Sequence, residues 1–441
     1  MVAILFAFST SALAQNGINS PYSQYGIGFN NQPYNMPYIS SLGGVSYTLA
    51  ANNMVNPFNP ASYAIIGKET FIFDMGLSIE TNTLRSRSNS LYDADGGLGY
   101  ISFGMPVTKW WKTAFGVMPL TDINYRTVNT VQGDLYNEMS TIYEGVGSIS
   151  QFYWGHGFNV FGGLDESKPQ LRLGFNASFI YGNLTRAITY DFATNDSTYF
   201  MDSRRQKDTY VSNFLFDMGL QYDQPIGKDY HLDVGLTFKL PHAMSVKDNS
   251  LVYTFVTSGM REYMRDTIFP ASGNDSEYES TLEQPLSTGI GISFRRDNKW
   301  LVAMDGTFAP WSGLKYVENE NVNIFGSSPV LYENNTRLAL GMQLLGDKNA
   351  TKYANRVTYS VGFHYERAKM TLMSATNEKH VLDEWGIGAG VALPVRKGRS
   401  LFNVSVAYSS FGTTDLLRRN AFTIGLSFSS CESWFVKRKF N

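Results

Sequence analysis

Period two is the feature that most limits what this chain can become. Past residue 68, apolar residues alternate with small or polar ones for about eight to twelve positions, a turn follows, and the pattern returns. Alternation of this kind sorts side chains onto the two faces of a β-strand. In 70–80 the set Phe71, Phe73, Met75, Leu77 and Ile79 alternates with Ile72, Asp74, Gly76 and Ser78. In 231–240 Leu232, Val234, Leu236, Phe238 and Leu240 alternate with Asp233, Gly235, Thr237 and Lys239. Fourteen such segments are expected, near 69–80, 98–106, 110–119, 146–162, 170–189, 210–225, 231–241, 285–295, 299–309, 336–345, 356–367, 384–394, 400–410 and 420–429. The fourth is the weakest and reads as a short helix or a kinked strand.

The connections alternate in length as well. Short ones fall at 107–109, 164–168, 226–230, 296–298, 346–355 and 395–399, and long ones at 81–97, 120–145, 190–209, 242–284, 310–335, 368–383 and 411–419. A soluble β-sandwich has no reason to keep that parity, and its solvated face would carry more Lys and Glu. Short turns at one rim and long loops at the other are the layout of an outer-membrane barrel. The expected fold is therefore an all-β transmembrane antiparallel barrel of about 14 strands. Lipid requires every backbone group to be paired internally, so the sheet must close. It also disfavours charge on the outer face by roughly 2–4 kcal/mol per Lys or Arg at mid-membrane. The ionisable residues inside strands fall mostly on the inner set, at Asp74, Arg172, Asp217, Asp223, Asp233, Lys239, Asp305 and Glu366. They read as a lumenal salt-bridge network. Trp110, Trp111, Trp300 and Trp385 read as strand starts in an interfacial girdle at the short-turn rim.

Composition closes off other classes. With 36 Lys+Arg against 38 Asp+Glu there is no basic field for nucleic acid. One cysteine, Cys431, allows neither a disulfide framework nor a Cys-based zinc site. After the N-terminus no apolar run is long enough for a membrane helix. No catalytic constellation is present, so the chain does not read as an enzyme, and no cofactor is expected. The runs Gly386–Gly390 and Gly289–Gly291 lie on alternating strands and lack a complete nucleotide loop. His364 and Glu366, two apart on the inner face, could bind a metal but read as lumenal hydrogen-bonding groups. The acidic residues Asp93, Asp95, Asp275, Glu277 and Glu279 read as solvated loop charge that would also suit Ca²⁺ or lipopolysaccharide bridging.

Residues 2–12 are apolar and lead into Ala12-Leu13-Ala14, a small-x-small cleavage pattern. A signal peptide over 1–14 is expected, with Gln15 as the first mature residue. No Lys or Arg precedes the apolar run, which places the expected true start upstream of Met1. Residues 15–67 are rich in Asn, Ser, Gly, Pro and Tyr, too apolar for a tail and too irregular for strands. A fourteen-stranded lumen lies between barrels that side chains fill and porins that conduct. A plug over 15–67 would fill it, ahead of a barrel over 68–430 and a periplasmic tail over 431–441.

The plug, with Asn59-Pro60-Ala61 shortly before the first of fourteen strands, resembles the hatch of the FadL family, the long-chain fatty acid and hydrocarbon transporters of bacterial outer membranes. Gly145–Ser148, Gly174–Gly182 and the ending Glu432–Phe440 are also similar to FadL-like sequences, the last to members from Bacteroidetes. The resemblance implies passive passage of a hydrophobic molecule past the hatch and out through a break in the wall. It assigns Asn59, Pro60 and Ala61 to the hatch. Asn56-Pro57-Phe58, just before that turn, departs from the familiar spacing. FadL-like barrels from Bacteroidetes are also similar to subunits of secretion and assembly machines. Two functions are therefore expected: hydrophobic transport, or an accessory role in an outer-membrane secretion or assembly complex of BAM or type IX type. Outer-membrane lipid and lipopolysaccharide, a hydrophobic ligand or a protein complex are the expected partners, and the bacterial outer membrane the expected location.

Overall fold

The computed structural model describes residues 20–433, apart from residues 31 and 88 and the stretches 134–137, 164–166, 194–199, 259–260, 270–276, 314–315, 318–329, 348–349, 374–377 and 396–399. The expected signal segment, Gln15 and the tail beyond Ser433 lie outside the described residues.

Fourteen antiparallel strands form the wall. They are β1 Thr70–Arg85, β2 Ser90–Pro106, β3 Trp111–Val131, β4 Met139–Phe161, β5 Gln170–Phe192 and β6 Asp202–Ile226, then β7 in two pieces, Tyr230–Lys239 and His242–Ser258. β8 is Glu277–Gln284 and Ser287–Arg296, β9 is Trp300–Ala309 and Tyr316–Val317, and β10 is Val330–Tyr332 and Asn335–Leu344. β11 Thr358–Met373, β12 Lys379–Val395, β13 Ser400–Thr413 and β14 Leu417–Ser433 complete the ring. β14 pairs back onto β1, from Thr70 opposite Ser433 to Arg85 opposite Arg418, and so closes the barrel. Among the described residues no helix is long and apolar enough to cross a membrane.

The outer face follows the alternation. On β10 Leu338, Leu340, Met342 and Leu344 are 43–52% exposed, with Arg337, Ala339 and Gln343 buried between them. On β5 the outward set runs from Leu173 to Tyr181, about 26 Å along the strand at ~3.3 Å per residue. That matches the height of an outer-membrane apolar band. Trp110 and Trp111 group with Phe158, and Trp300 with Tyr230 and Phe294, at the short-turn rim. Trp385 does not join them. It pairs with Tyr365, ten positions before the end of β12, and so belongs to the opposite half of the wall. The segment limit, taken as a strand start, had hidden the rest of β12.

The long connections are strands for much of their length. β3 to β6 run 21–25 residues each, well past the apolar band. The expected loop 242–284 holds the outer piece of β7, a further hairpin strand Arg261–Phe269 and the outer piece of β8. Above the membrane both strand faces meet water, so the alternation that marks a strand is lost. Asp93 and Asp95 therefore lie in β2, and Glu277 and Glu279 in β8; Asp275 lies outside the described residues. The weak fourth segment is a kinked strand. Gly147 sits in it at φ 138°, facing the Asn183 carbonyl so closely that a side chain would not fit.

Two of the interruptions in the ladder lie beside the lumenal segment. β2 pairs with β3 only from Ile101–Val117 down to Pro106–Lys112. Above that level, among the described residues, β3 pairs in the ladder with β4 and, at Asp122 and Thr121, with a two-residue strand, Phe29–Asn30. β8 and β9 pair from Arg296–Trp300 up to Thr288–Phe308, and again at Leu282–Tyr316. Between those points they part, around Pro285 and Pro310. Proline lacks the amide that a ladder needs.

The core is the lumen. The described residues from 20 to 67 lie against the inner face of the ring. Met36, Ile39, Val55 and Tyr63 pack with Ile72, Tyr100, Met118 and Tyr153 of the wall, and Leu42, Val45 and Leu49 with Leu301, Ala303 and Ala339.

Candidate functional site

The lumenal segment is seated by hydrogen bonds from the polar inner face. Asp305 accepts the amides of Ser46 (2.6 Å) and Tyr47 (2.9 Å) through one oxygen. Asp74 accepts from Tyr100 Oη (2.7 Å) and Ser429 Oγ (2.8 Å), with the Val55 amide at 3.4 Å. Arg337 donates to Tyr34 Oη at 3.1 Å and to the Gly44 carbonyl. Asn176 donates to the Pro57 carbonyl at 2.9 Å and accepts from Tyr63 Oη at 3.0 Å. Glycines on the wall leave the space: a side chain at Gly362 would strike the backbone of Leu42 and Gly43.

Asn59 opens a 3-10 helix, Pro60–Ile65. Its Oδ1 caps the Ala61 amide at 3.1 Å, and its Nδ2 donates to the carbonyls of Tyr47 (2.7 Å) and Leu220 (3.2 Å). The cap thus joins the helix to its own segment and to β6. Pro60 begins the helix, where its missing amide costs nothing, and both Pro60 and Asn59 rest against wall glycines, Gly174 and Gly219. Ala61 is fully buried.

Below the segment, at the short-turn end, charges form a floor. Arg295 reaches Asp223 (2.8 Å), Asp233 (3.3 Å) and Asp297 (2.7 Å). His231 bridges Asp223 (2.7 Å) and Asp297 (3.2 Å), and Arg172 lies 3.6 Å from Asp223. Above the segment, residues 20–30 cross the outer mouth. Tyr22 and Phe29 pack edge-on against Phe411 at 5.3 Å on one side, and Ile27 joins the buried cluster of β3 to β8 on the other. Arg186 donates to the Gln24 carbonyl at 2.9 Å and to that of Gly26.

Between cover and floor is a cavity of about 250 Å³. Apolar groups such as Phe58, Met118, Leu215 and Phe238 line it, with Asp217, Lys239, Arg337, Glu366 and Glu384. Gln284, Pro285, Ser287, Ala309 and Trp311 line it too, so it reaches the stretch where β8 and β9 part.

The structure divides the inner residues singled out in sequence among three places. Asp74 and Asp305 hold the lumenal segment, Arg172 and Asp233 belong to the floor, and Asp217, Lys239 and Glu366 line the cavity. His364 is buried beside Tyr34, ring to ring at 4.4 Å. Arg337, Glu384, Arg295 and His231 were missed. Arg337 and Glu384 stand one position before an outward apolar set, and the alternation already assigned them inward. Among the described residues no group of three His, Cys, Asp or Glu could hold a metal ion.

In fold the chain is similar to FadL-type barrels. The toluene transporter TbuX of Ralstonia pickettii superposes with a TM-score of 0.55 at 10% identity, over 90% of this chain and 97% of that one. A FadL homologue of Pseudomonas aeruginosa superposes with 0.55 at 12%, over 90% and 98%. The monoaromatic hydrocarbon channel CymD superposes with 0.52 at 14%, over 90% and 97%. No match was found among curated proteins. The sequence profile of the BamG family covers residues 1–441, and the chain, a closed FadL-like barrel around its own N-terminal segment, belongs to the BamG family.

Proposed function

We propose that this barrel passes small hydrophobic molecules across the outer membrane, with residues 20–67 as its hatch. The observation that carries this reading is where the cavity ends. It lies between hatch and wall and is lined by the residues at which β8 and β9 part. That opening stands level with the outward-facing Leu286 and Phe308, 42% and 48% exposed, at the top of the apolar band. A molecule leaving there enters hydrocarbon without crossing the charged floor. The cavity exceeds the roughly 150 Å³ void that admits benzene in an engineered protein, so a monoaromatic molecule fits it. Two neighbours of the same fold are named as a toluene transporter and a monoaromatic hydrocarbon channel, which supports that substrate class.

A second reading is an accessory subunit of an outer-membrane protein-assembly complex. Membership of the BamG family favours it, as does the tall wall above the membrane. There, among the described residues, β3 has no ladder partner on its β2 side beyond Asp122. Ser20 N donates to the Asn124 carbonyl from that side, so the backbone groups of Arg126, Val128 and Thr130 also face outward along it. An unpaired edge is a ready template for a partner's strand.

One deletion strain tests both readings. Toluene uptake and the abundance of other outer-membrane barrels are measured together, with an Ala309→Trp variant that fills the cavity at the opening. Passage requires uptake to fall in both strains. Unchanged uptake with depleted barrels rejects passage and leaves the assembly reading.

A further inference from the structure

The cavity carries one arrangement that a pure hydrocarbon does not need. Glu366 of β11 and Glu384 of β12 are register partners and both line it. Directly opposed residues stand about 4.5–5.5 Å apart at Cβ, where like charges repel. Asn335 Nδ2 donates to Glu366 Oε1 at 2.8 Å. Arg337, the register partner of Glu366 on its other side, gives its donors to Tyr34 Oη and the Gly44 carbonyl instead. Arg419 is engaged by Glu80 and Asn82. Two carboxylates thus face the cavity with one guanidinium, that of Arg337, beside them.

His364 adds an independent sign. It is 5% exposed, and neither ring nitrogen has a hydrogen-bond partner. Its Nε2 lies 3.9 Å from Glu384 Oε1, beyond hydrogen-bond reach. Aromatic rings border the same place. Phe411 is the register partner of Glu384, and Tyr34 stacks on His364. Opposed carboxylates beside aromatic faces are the chemistry that holds an organic ammonium, through charge-assisted N–H bonds and cation–π attraction.

We propose that Glu366, Glu384 and His364 form a subsite for the ammonium group of an amphiphilic amine whose apolar body fills the rest of the cavity. The proposal rests on the passage reading and narrows its substrate class. An ammonium between the two carboxylates removes their repulsion and gives His364 a donor. The aromatic borders favour a compact aryl or alkyl amine over a large hydrated cation.

The test is binding to the purified full-length barrel in detergent, by calorimetry or ligand-observed NMR. Benzylamine, charged at neutral pH, is compared with benzyl alcohol of nearly equal shape and with toluene. Benzylamine is expected to bind at least about tenfold tighter than benzyl alcohol, the scale of one charge-assisted bond. Glu384→Gln is expected to bring that ratio close to one, and Glu366→Gln serves if the first variant does not fold. Equal binding of amine and alcohol to the unaltered protein overturns the subsite while toluene binding keeps the passage reading. Failure of all three to bind removes both.

Discussion

One carboxylate ties the lumenal segment to the wall at two points. Asp305 holds two consecutive backbone amides, and it is almost wholly buried. Its loss leaves both donors without a partner, at about 1–3 kcal/mol for each. Asp305→Ala is therefore expected to loosen the 46–49 stretch by about 2–6 kcal/mol, read as faster hydrogen exchange at the Ser46 and Tyr47 amides. Asp305→Asn, which keeps an acceptor, should retain most of the protection. Equal exchange in Asp305→Ala and the unaltered protein would refute this role. At this scale the sequence was legible in part. Period two told which charges face inward, because lipid sorts them. It could not tell a floor residue such as Asp233 from a cavity residue such as Lys239, six positions away on the same strand. That division depends on where the hatch lies, which no local pattern records. Glu384 and Arg337 went unnamed for a simpler reason: each sits at the edge of an apolar set.

At the scale of elements, β11 and β12 are shaped by what lies against them. Gly362 faces the Leu42–Gly43 backbone, whereas Gly306 on β9 meets nothing nearer than 3.7 Å. Gly362→Ala is expected to displace the turn over 40–44 and cost about 1–3 kcal/mol by overpacking, with Gly306→Ala near neutral. Thermal transitions and limited proteolysis within 38–46 would separate the two, and equal effects would contradict the contact. The strand count, direction and closure of the wall could all be read from sequence, for within the apolar band one face meets lipid and the other the lumen. Above the band that contrast disappears. Thus 120–145 and 190–209 read as loops, though β3, β4 and β6 extend far into them. The partings at Pro285 and Pro310 were visible as residues, but their coincidence on neighbouring strands was not.

For the whole molecule, a ring of fourteen strands is wide enough to conduct unless filled. Removing residues 20–67 is expected to turn the barrel into an open channel, seen as stepwise conductance in planar bilayers where the full chain gives none. A silent deletion variant that still migrates as a folded barrel would show that the wall collapses to fill its own lumen. The filling also precedes the wall in the chain, and the seam between β1 and β14 joins the first strand to the last. Contacts so distant in sequence form late, because the long loop they close carries a large entropy cost. The lumenal segment touches strands from both halves of the ring, through Asp74, Asn176, Asp305 and Arg337. Threading it into a sealed cylinder would mean pulling the segment past every one of those partners. A wall that closes around the segment needs no such threading, because its seam joins the two ends of the chain's ring of strands.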